Sequence, residues 1–292
     1  MHIPVLLNES LEYLSIIPTG VYIDATCGLG SHTAAIARRL TTGFVIANDR
    51  DPESLEQAKA NTADCADRIR FHQGKFSELR SALSEFGVTE VNGLLADLGV
   101  SRYQLTSPER GFSFMAEGSL DMRMNRSEGE TAADIVNFSS EKDLADLIFK
   151  LGEERRSRRI ARAIVRARPI QSTHHLAKVI ESAASRTGPL HPATQTFMAL
   201  RLAVNGELDE LGALLNLAPD LMAEGGRVCV ISFHSLEDRM VKRSFQELVR
   251  SGRAVSLTRH VVRPGEEELR DNQAARSAKL RVVEKSSDRS GE

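Results

Sequence analysis

Three aspartates, Asp24, Asp49 and Asp97, each stand at the end of a short β-rich apolar run, and the first leads into a glycine loop, Cys27-Gly28-Leu29-Gly30-Ser31-His32. Glycines after a strand let a ligand approach the backbone where a helix begins, and carboxylates at strand ends accept hydrogen bonds from sugar hydroxyls. That combination suits a nucleotide-like cofactor. A dinucleotide fingerprint asks for a third glycine where Thr33 stands, and has no need of an acid four residues before the first glycine. S-adenosylmethionine carries a cationic sulfonium and an amino group but no phosphate, so it gives Asp24 a purpose. Asp49 is placed to accept both ribose hydroxyls, and Asp97 to point into the crevice outside the strand ends. His234 follows a later apolar run and is placed to face the same crevice as a base or hydrogen-bond acceptor. Asp97 and His234 are thus the candidate catalytic residues. The loop read as a tight turn, Asp49 as a capping aspartate and Asp97 as a strand terminator remain open alternatives.

Repeated strand and helix patterns position these groups. Val21-Tyr22-Ile23-Asp24, residues 43–48, 69–72 and 91–96 are β-rich runs separated by helical periodicity, which implies a parallel, doubly wound sheet. Asp51 with Pro52 behind it predicts a capped helix start after the second run. From 107 to 205 only helical periodicity is found. A further β run at 227–233 resumes the sheet after a turn at Glu224-Gly225-Gly226, a helix follows from Ser235, and extended runs are expected at 255–262 and 280–283. The expected organisation is a discontinuous α/β domain, residues 1–106 and 206–292, interrupted by an all-helical insertion at 107–205 that serves substrate recognition. Residues 286–292 read as a frayed polar tail.

Lys+Arg total 38 against 40 Asp+Glu, and this net −2 by itself gives no reason to expect a polyanion partner. Local clustering does. Residues 150–168 hold eight basic residues against two acidic, and on one continuous helix Arg155, Arg158 or Arg159, Arg162 and Arg166 fall on one face, with Ile160, Ala163, Ile164 and Ala167 on another. This is a candidate RNA-binding face. Ordinary hydrophobic and charged fractions, 41% and 27%, exclude a wholly disordered chain and a membrane bundle. Cys27, Cys65 and Cys229 are scattered without ligand spacing, and His174 and His175 are adjacent, so no disulfide framework and no metal site is expected. The cysteine usage and the lack of a signal-peptide core point to a cytoplasmic protein with no membrane association.

The chain resembles the RsmH (MraW) family in residues 2–7 (HIPVLL), 28–32 (GLGSH), 49–52 (DRDP), 97–101 (DLGVS), 110–114 (RGFSF), 120–124 (LDMRM), 152–155 (GEER), 191–194 (HPAT) and 232–239 (SFHSLEDR). The resemblance runs from residue 2 to about 285. It implies a class I (Rossmann-like) S-adenosylmethionine-dependent methyltransferase sheet and methylation of the exocyclic amino nitrogen of a cytosine in the decoding region of bacterial 16S ribosomal RNA. The implied partner is that RNA within an assembled or late-stage small ribosomal subunit. Cofactor contacts are implied at Gly30, Ser31, His32, Asp49, Phe76, Asp97 and Gln104, with Phe76 walling the adenine. Leu29 and Ser31 depart from the family's usual GRGGH, which matters only where a positive φ is needed.

A stacked base must be unpaired or flipped to reach such a site. The stacking aromatic that amino methyltransferases often carry after the fourth strand is missing at 97–101, leaving Tyr103, Phe112 and Phe114 as substitutes, each better explained as core. Ser235 is expected to cap the following helix with Asp238 in capping-box register, and His2 to close the site from the N-terminus. The sequence is compatible with a monomer or a homodimer. Two other classes are weighed: an NAD-dependent oxidoreductase on a similar sheet, which the absent third glycine disfavours, and a non-catalytic RNA-binding or assembly factor that retains the fold.

Overall fold

The computed structural model describes residues 4–186 and 188–287; His2 and the last residues of the polar tail lie outside them. The chain divides into two compact units. One comprises Met1–Gly99 with Asp209–Glu292 and the other Val100–Leu208, against expected divisions at 106/107 and 205/206.

The first unit opens with helix α1 (Leu7–Leu14) and then alternates β1 (Val21–Asp24), α2 (Ser31–Ala37), β2 (Phe44–Asp49), α3 (Pro52–Asn61), β3 (Ile69–Gln73), α4 (Leu79–Glu85) and β4 (Val91–Asp97). Asp51 caps α3 as the sequence predicts, accepting from the N–H groups of Glu53 and Ser54 with Pro52 in the first turn. The helical unit then supplies α5 (Arg102–Thr106), α6 (Ala132–Phe138), α7 (Glu141–Gly152), α8 (Ser157–Arg166), α9 (Thr173–Ala183) and α10 (Thr194–Asn205). Helix α11 (Glu207–Leu221) leads back into β5 (Met222–Ser232), α12 (Ser235–Arg250), β6 (Ala254–Ser256), α13 (Glu266–Asp271) and β7 (Lys279–Lys285).

The seven strands lie in the order β3-β2-β1-β4-β5-β7-β6. The first five run parallel, and β7 and β6 are antiparallel additions beyond β5. Strand order reverses at β1, which lies between β2 and β4, and in a doubly wound sheet the crevice outside the strand ends at that point is where ligands bind. Alternation along the strands feeds two cores. Val45, Leu95 and Ile231 join Leu14 and Ile36 on one face, and Ile23, Ile46, Leu94 and Val230 join Leu79, Leu211 and Phe245 on the other.

Two expectations change. The run at 255–262 is a strand only over its first part; Val262 makes a lone bridge to Leu280. The turn expected at 224–226 lies inside β5, because Val91 pairs with Met222 and Gly93 with Arg227, so β5 carries extra residues opposite a two-residue step of β4. The helical unit has its own core of Met122, Val136, Leu144, Ile160, Leu176 and Phe197 with their neighbours. Among the described residues no helix is long and apolar enough to cross a membrane.

Candidate active site

The C-terminal ends of β1, β2 and β4 converge on the loop between β1 and α2. Asp24 is fully buried; its Oδ2 accepts from the Thr33 hydroxyl at 2.6 Å and its Oδ1 from the Thr26 N–H at 3.2 Å. This carboxylate fixes the loop's two ends rather than standing open to a cofactor's cation. Gly30 has φ +87°, and a Cβ there would lie 2.8 Å from the Thr62 methyl, so only glycine fits. Ser31 is the first residue of α2 and has no positive φ, so the serine that replaces the family's glycine is accommodated.

Asp49 holds the loop from the neighbouring strand. Its Oδ2 accepts from the Gly28 N–H at 2.7 Å and its Oδ1 from the Asp51 N–H at 2.9 Å. Each oxygen keeps a further lone pair, and the residue is only partly buried. The turning role and the ribose-accepting role expected of Asp49 are therefore compatible. Burial pushes the carboxyls of Asp24 and Asp49 up to about 6, against the hydrogen bonds that favour their ionised forms. A carboxyl raised in this way favours the folded state when protonated: the stability it gives is fully present below about pH 4 and is lost as pH rises through about 6.

Asp97 joins the loop through its own N–H, which donates to the Thr26 hydroxyl oxygen at 2.6 Å. Its Oδ1 is buried without a hydrogen-bond partner among the described residues, although a fifth of the side chain (20%) is exposed. Burial, and then the negative charges of Asp24, Glu237 and Glu268, push this carboxyl well above the usual carboxylate range. His32 faces it: Nε2 donates to the Val5 carbonyl at 3.1 Å, and Nδ1 lies 3.8 Å from Asp97 Oδ2. The carbonyl can only accept, so Nε2 carries a proton and Nδ1 is the ring nitrogen turned toward Asp97. Leu6, the next residue of the N-terminal segment, donates its N–H to Glu268 Oε1 at 2.8 Å. Glu268 was not expected at the site; nothing local in the sequence links positions 6 and 268.

Phe76 follows β3 at the same end of the sheet and is half-buried against the second core cluster, anchored through Gly74, whose N–H donates to the Asp49 carbonyl at 3.1 Å. After β5, the structure corrects the helix cap. His234, not Ser235, is the N-cap of α12: its Nδ1 accepts from the Glu237 N–H at 3.5 Å, and Glu237 Oε2 accepts from the N–H groups of Phe233 and His234 at 2.9 and 3.3 Å. His234 Nε2 is buried 3.0 Å from Glu237 Oε1 without hydrogen-bond alignment. Both ring nitrogens thus face Glu237, and Asp97 rather than His234 retains the spare acceptor. Asp238, expected in the capping box, instead receives Arg281 Nε at 2.7 Å and Lys279 Nζ at 3.0 Å from β7. Burial raises its carboxyl, but those hydrogen bonds and charges prevail and hold it below the usual range.

The remaining candidates lie in the helical unit. Gln104 is buried and closes a capping box on α5, its Oε1 accepting from the Ser101 N–H at 2.9 Å. Phe112 and Phe114 belong to the helical core. The arginine face is shorter than expected, because α7 ends at Gly152 with Glu153 in a left-handed conformation, and Arg155 lies in the turn before α8. Arg156 folds back onto the buried Glu154, 2.9 Å from it. On α8 itself, Ile160, Ala161 and Ile164 are buried while Arg158, Arg159, Arg162 and Arg166 are exposed. At 100° per residue those four arginines share an arc of about 100° opposite the buried stripe. Arg162 pairs with Glu141 at 3.3 Å. Among the described residues Arg155, Arg158, Arg159 and Arg166 have no carboxylate partner. No group of His, Cys, Asp and Glu suited to a metal ion is found among the described residues.

Comparison with known proteins adds a lineage. The family model described as the MraW methylase family matches residues 1–286. A protein of Solibacter usitatus named ribosomal RNA small subunit methyltransferase H is 62% identical over 284 residues, covering 97% of this chain and 99% of its own length. Proteins of the same name from Acidobacterium capsulatum and Sorangium cellulosum are 51% and 49% identical, each match covering 97% of this chain and respectively 98% and 90% of theirs.

Proposed function

The chain belongs to the MraW methylase family, and from that premise we propose that it methylates small-subunit ribosomal RNA with S-adenosylmethionine as donor, at the exocyclic N4 of a cytosine in the decoding region. Small-subunit ribosomal RNA as substrate follows from the relatives' names. The choice of an amino nitrogen is carried by one observation, the buried Asp97 Oδ1 that has no partner among the described residues. A buried acceptor without a donor is rare and asks for one, and the N–H of an aromatic amine is a donor.

The donor set fits the cofactor. Asp49 offers lone pairs to a ribose, Gly30 lets the loop pass close to Thr62 and Ala58 in a left-handed conformation, and Ser31 and His32 begin the helix behind it. Phe76 is the proposed adenine wall; Gln104 is carried as a contact by the family resemblance alone. Two carboxylates at one sheet end, Asp49 and Asp97, favour a cation there. When bound, S-adenosylmethionine supplies the methyl group as an electrophilic carbon on a sulfonium. Asp97 then does the protein's share of the chemistry. By accepting from one N–H of the amine it draws the nitrogen lone pair out of conjugation, and its raised pKa makes it a stronger base for the proton lost after methylation.

Methylation of ring carbon C5 is disfavoured, since that route uses a thiolate to activate the ring. Cys27, Cys65 and Cys229 are all buried, and burial raises each thiol. The proposed substrate form is an assembled or late-stage subunit met in the cytoplasm, with the helical insertion recognising the RNA through the α8 arginines.

Calorimetric titration with S-adenosylmethionine tests the cofactor site. Affinity is expected to rise as pH increases through about 6, where Asp49 ionises. Asp49→Ala is expected to weaken it about 10- to 100-fold, the range for charge-assisted hydrogen bonds. Unaltered binding by the variant would remove the ribose assignment, and a thermal shift with NAD but none with S-adenosylmethionine would restore the oxidoreductase reading.

A further inference from the structure

Helix α6 ends in Phe138, whose side chain is 82% exposed. A phenyl ring held in water contributes little to folding, yet the backbone that carries it is fixed on both sides. Asn137 Nδ2 donates to the Ile170 carbonyl at 3.0 Å and the Ile170 N–H donates to Asn137 Oδ1 at 2.7 Å. Arg168 donates through Nε to the Val136 carbonyl at 2.7 Å and through Nη2 to the Ser139 carbonyl at 2.6 Å. Phe138 is therefore presented from a pinned turn, directly against the segment that leaves α8.

That segment follows the arginine face. Arg166 is two residues before Arg168, and Arg162 reaches Glu141, three residues after Phe138. The first carboxylates after Phe138 in the chain are engaged, Glu141 by Arg162 and Asp143 by the Ser140 hydroxyl at 2.7 Å. Arg168, which holds the turn carrying Phe138, follows two residues after Arg166 at the end of the exposed arginine face of α8, and Arg166 has no carboxylate partner among the described residues, so an exposed ring and guanidinium groups belong to one stretch of the helical unit. Phosphates suit the arginines and a flat π-face suits the ring; single-stranded RNA offers both, and bases lifted from the helix are stacked on aromatic side chains in this way.

We propose that Phe138 stacks an unpaired base of the substrate RNA whose flanking phosphates lie along α8. This rests on the reading of the protein as a ribosomal RNA methyltransferase and names the residue with which its helical unit grips a single-stranded stretch. The platform gives affinity for unstacked RNA without selecting a base, because every base has a π-face.

The test is methyl transfer from labelled S-adenosylmethionine to small ribosomal subunits lacking the modification, with kcat and KM measured over a range of salt. Phe138→Ala is expected to raise KM about 5- to 100-fold, the range for loss of one base–aromatic stack. Cofactor affinity, kcat at saturation and the thermal midpoint stay unchanged, and the salt dependence of kcat/KM keeps its slope because every arginine that meets a phosphate is still in place. Phe138→Trp should match wild type and Phe138→Leu should be as poor as alanine. Wild-type KM in Phe138→Ala overturns the proposal, and so does full rescue by leucine, which would mark an aliphatic contact with a protein. Subunits left unlabelled by the wild-type enzyme would overturn the RNA reading itself; labelled wild type beside an indifferent Phe138→Ala overturns the stacking role alone.

Discussion

Asp97→Asn is expected to lower kcat for methylation of unmodified small subunits by about 10²- to 10⁴-fold, the contribution typical of a positioned general base. Asparagine fills the same space and still accepts a hydrogen bond, so the amine can be oriented; what it cannot do is take the proton. The wild-type carboxyl is raised by burial and by Asp24, Glu237 and Glu268 around it, which brings its basicity toward the working pH. Its ionised form is the active one, so wild-type activity should fall as pH drops through that raised pKa. The variant should lose this acidic limb along with its rate. Because Asp97 is also an implied cofactor contact, kcat is read at saturating S-adenosylmethionine, so that any loss of cofactor affinity does not enter it. A variant within threefold of wild type, with the same pH profile, would mean that the orphaned oxygen is not the amine's acceptor.

The second large effect concerns the RNA. Reversing Arg158, Arg159 and Arg166 to Glu is expected to weaken binding of unmodified subunits at least about 100-fold near physiological salt. The slope of log K against log salt should flatten by roughly 2–3, since each phosphate that an arginine neutralises accounts for about 0.7–0.9 of it. All three side chains are exposed and none has an ion-pair partner among the described residues, so the thermal midpoint and cofactor affinity should hold. Arg162 is left in place because its reversal would set two carboxylates against each other at Glu141. An unchanged salt slope in the triple variant would remove α8 from the RNA interface, whatever the absolute affinity.

The legible parts of the molecule were those governed by neighbours in sequence. Asp51 and Pro52 announce the start of α3 because a cap needs only the next three residues. Asp24, Asp49 and Asp97 could be placed at one end of a sheet because βα alternation fixes where each strand stops. Long-range partnerships had no such signal. Ser235 with Asp238 and His234 with Glu237 are both plausible capping pairs one residue apart; residue preference favours serine, and Lys279 and Arg281 on β7 decide the matter by claiming Asp238. Arg155 illustrates the same limit from the other side. Residues 150–168 read as one helix because no proline interrupts them, but Glu153 adopts a left-handed conformation after Gly152, and Arg156 closes on the buried Glu154. The bond between Leu6 and Glu268 joins the two ends of the chain and could be seen only in the folded protein.

Asp97's unpartnered oxygen connects the fold to the chemistry, because it gives the crevice a reason to prefer an amine over a ring carbon. The most direct test is to incubate the full-length protein with methyl-labelled S-adenosylmethionine and small ribosomal subunits lacking the modification, digest the RNA, and identify the labelled nucleoside. Label is expected in N4-methylcytidine from the decoding region. Label in C5-methylcytidine or another nucleoside, or unlabelled RNA from a protein that binds the cofactor, would contradict methylation of a cytosine amino nitrogen.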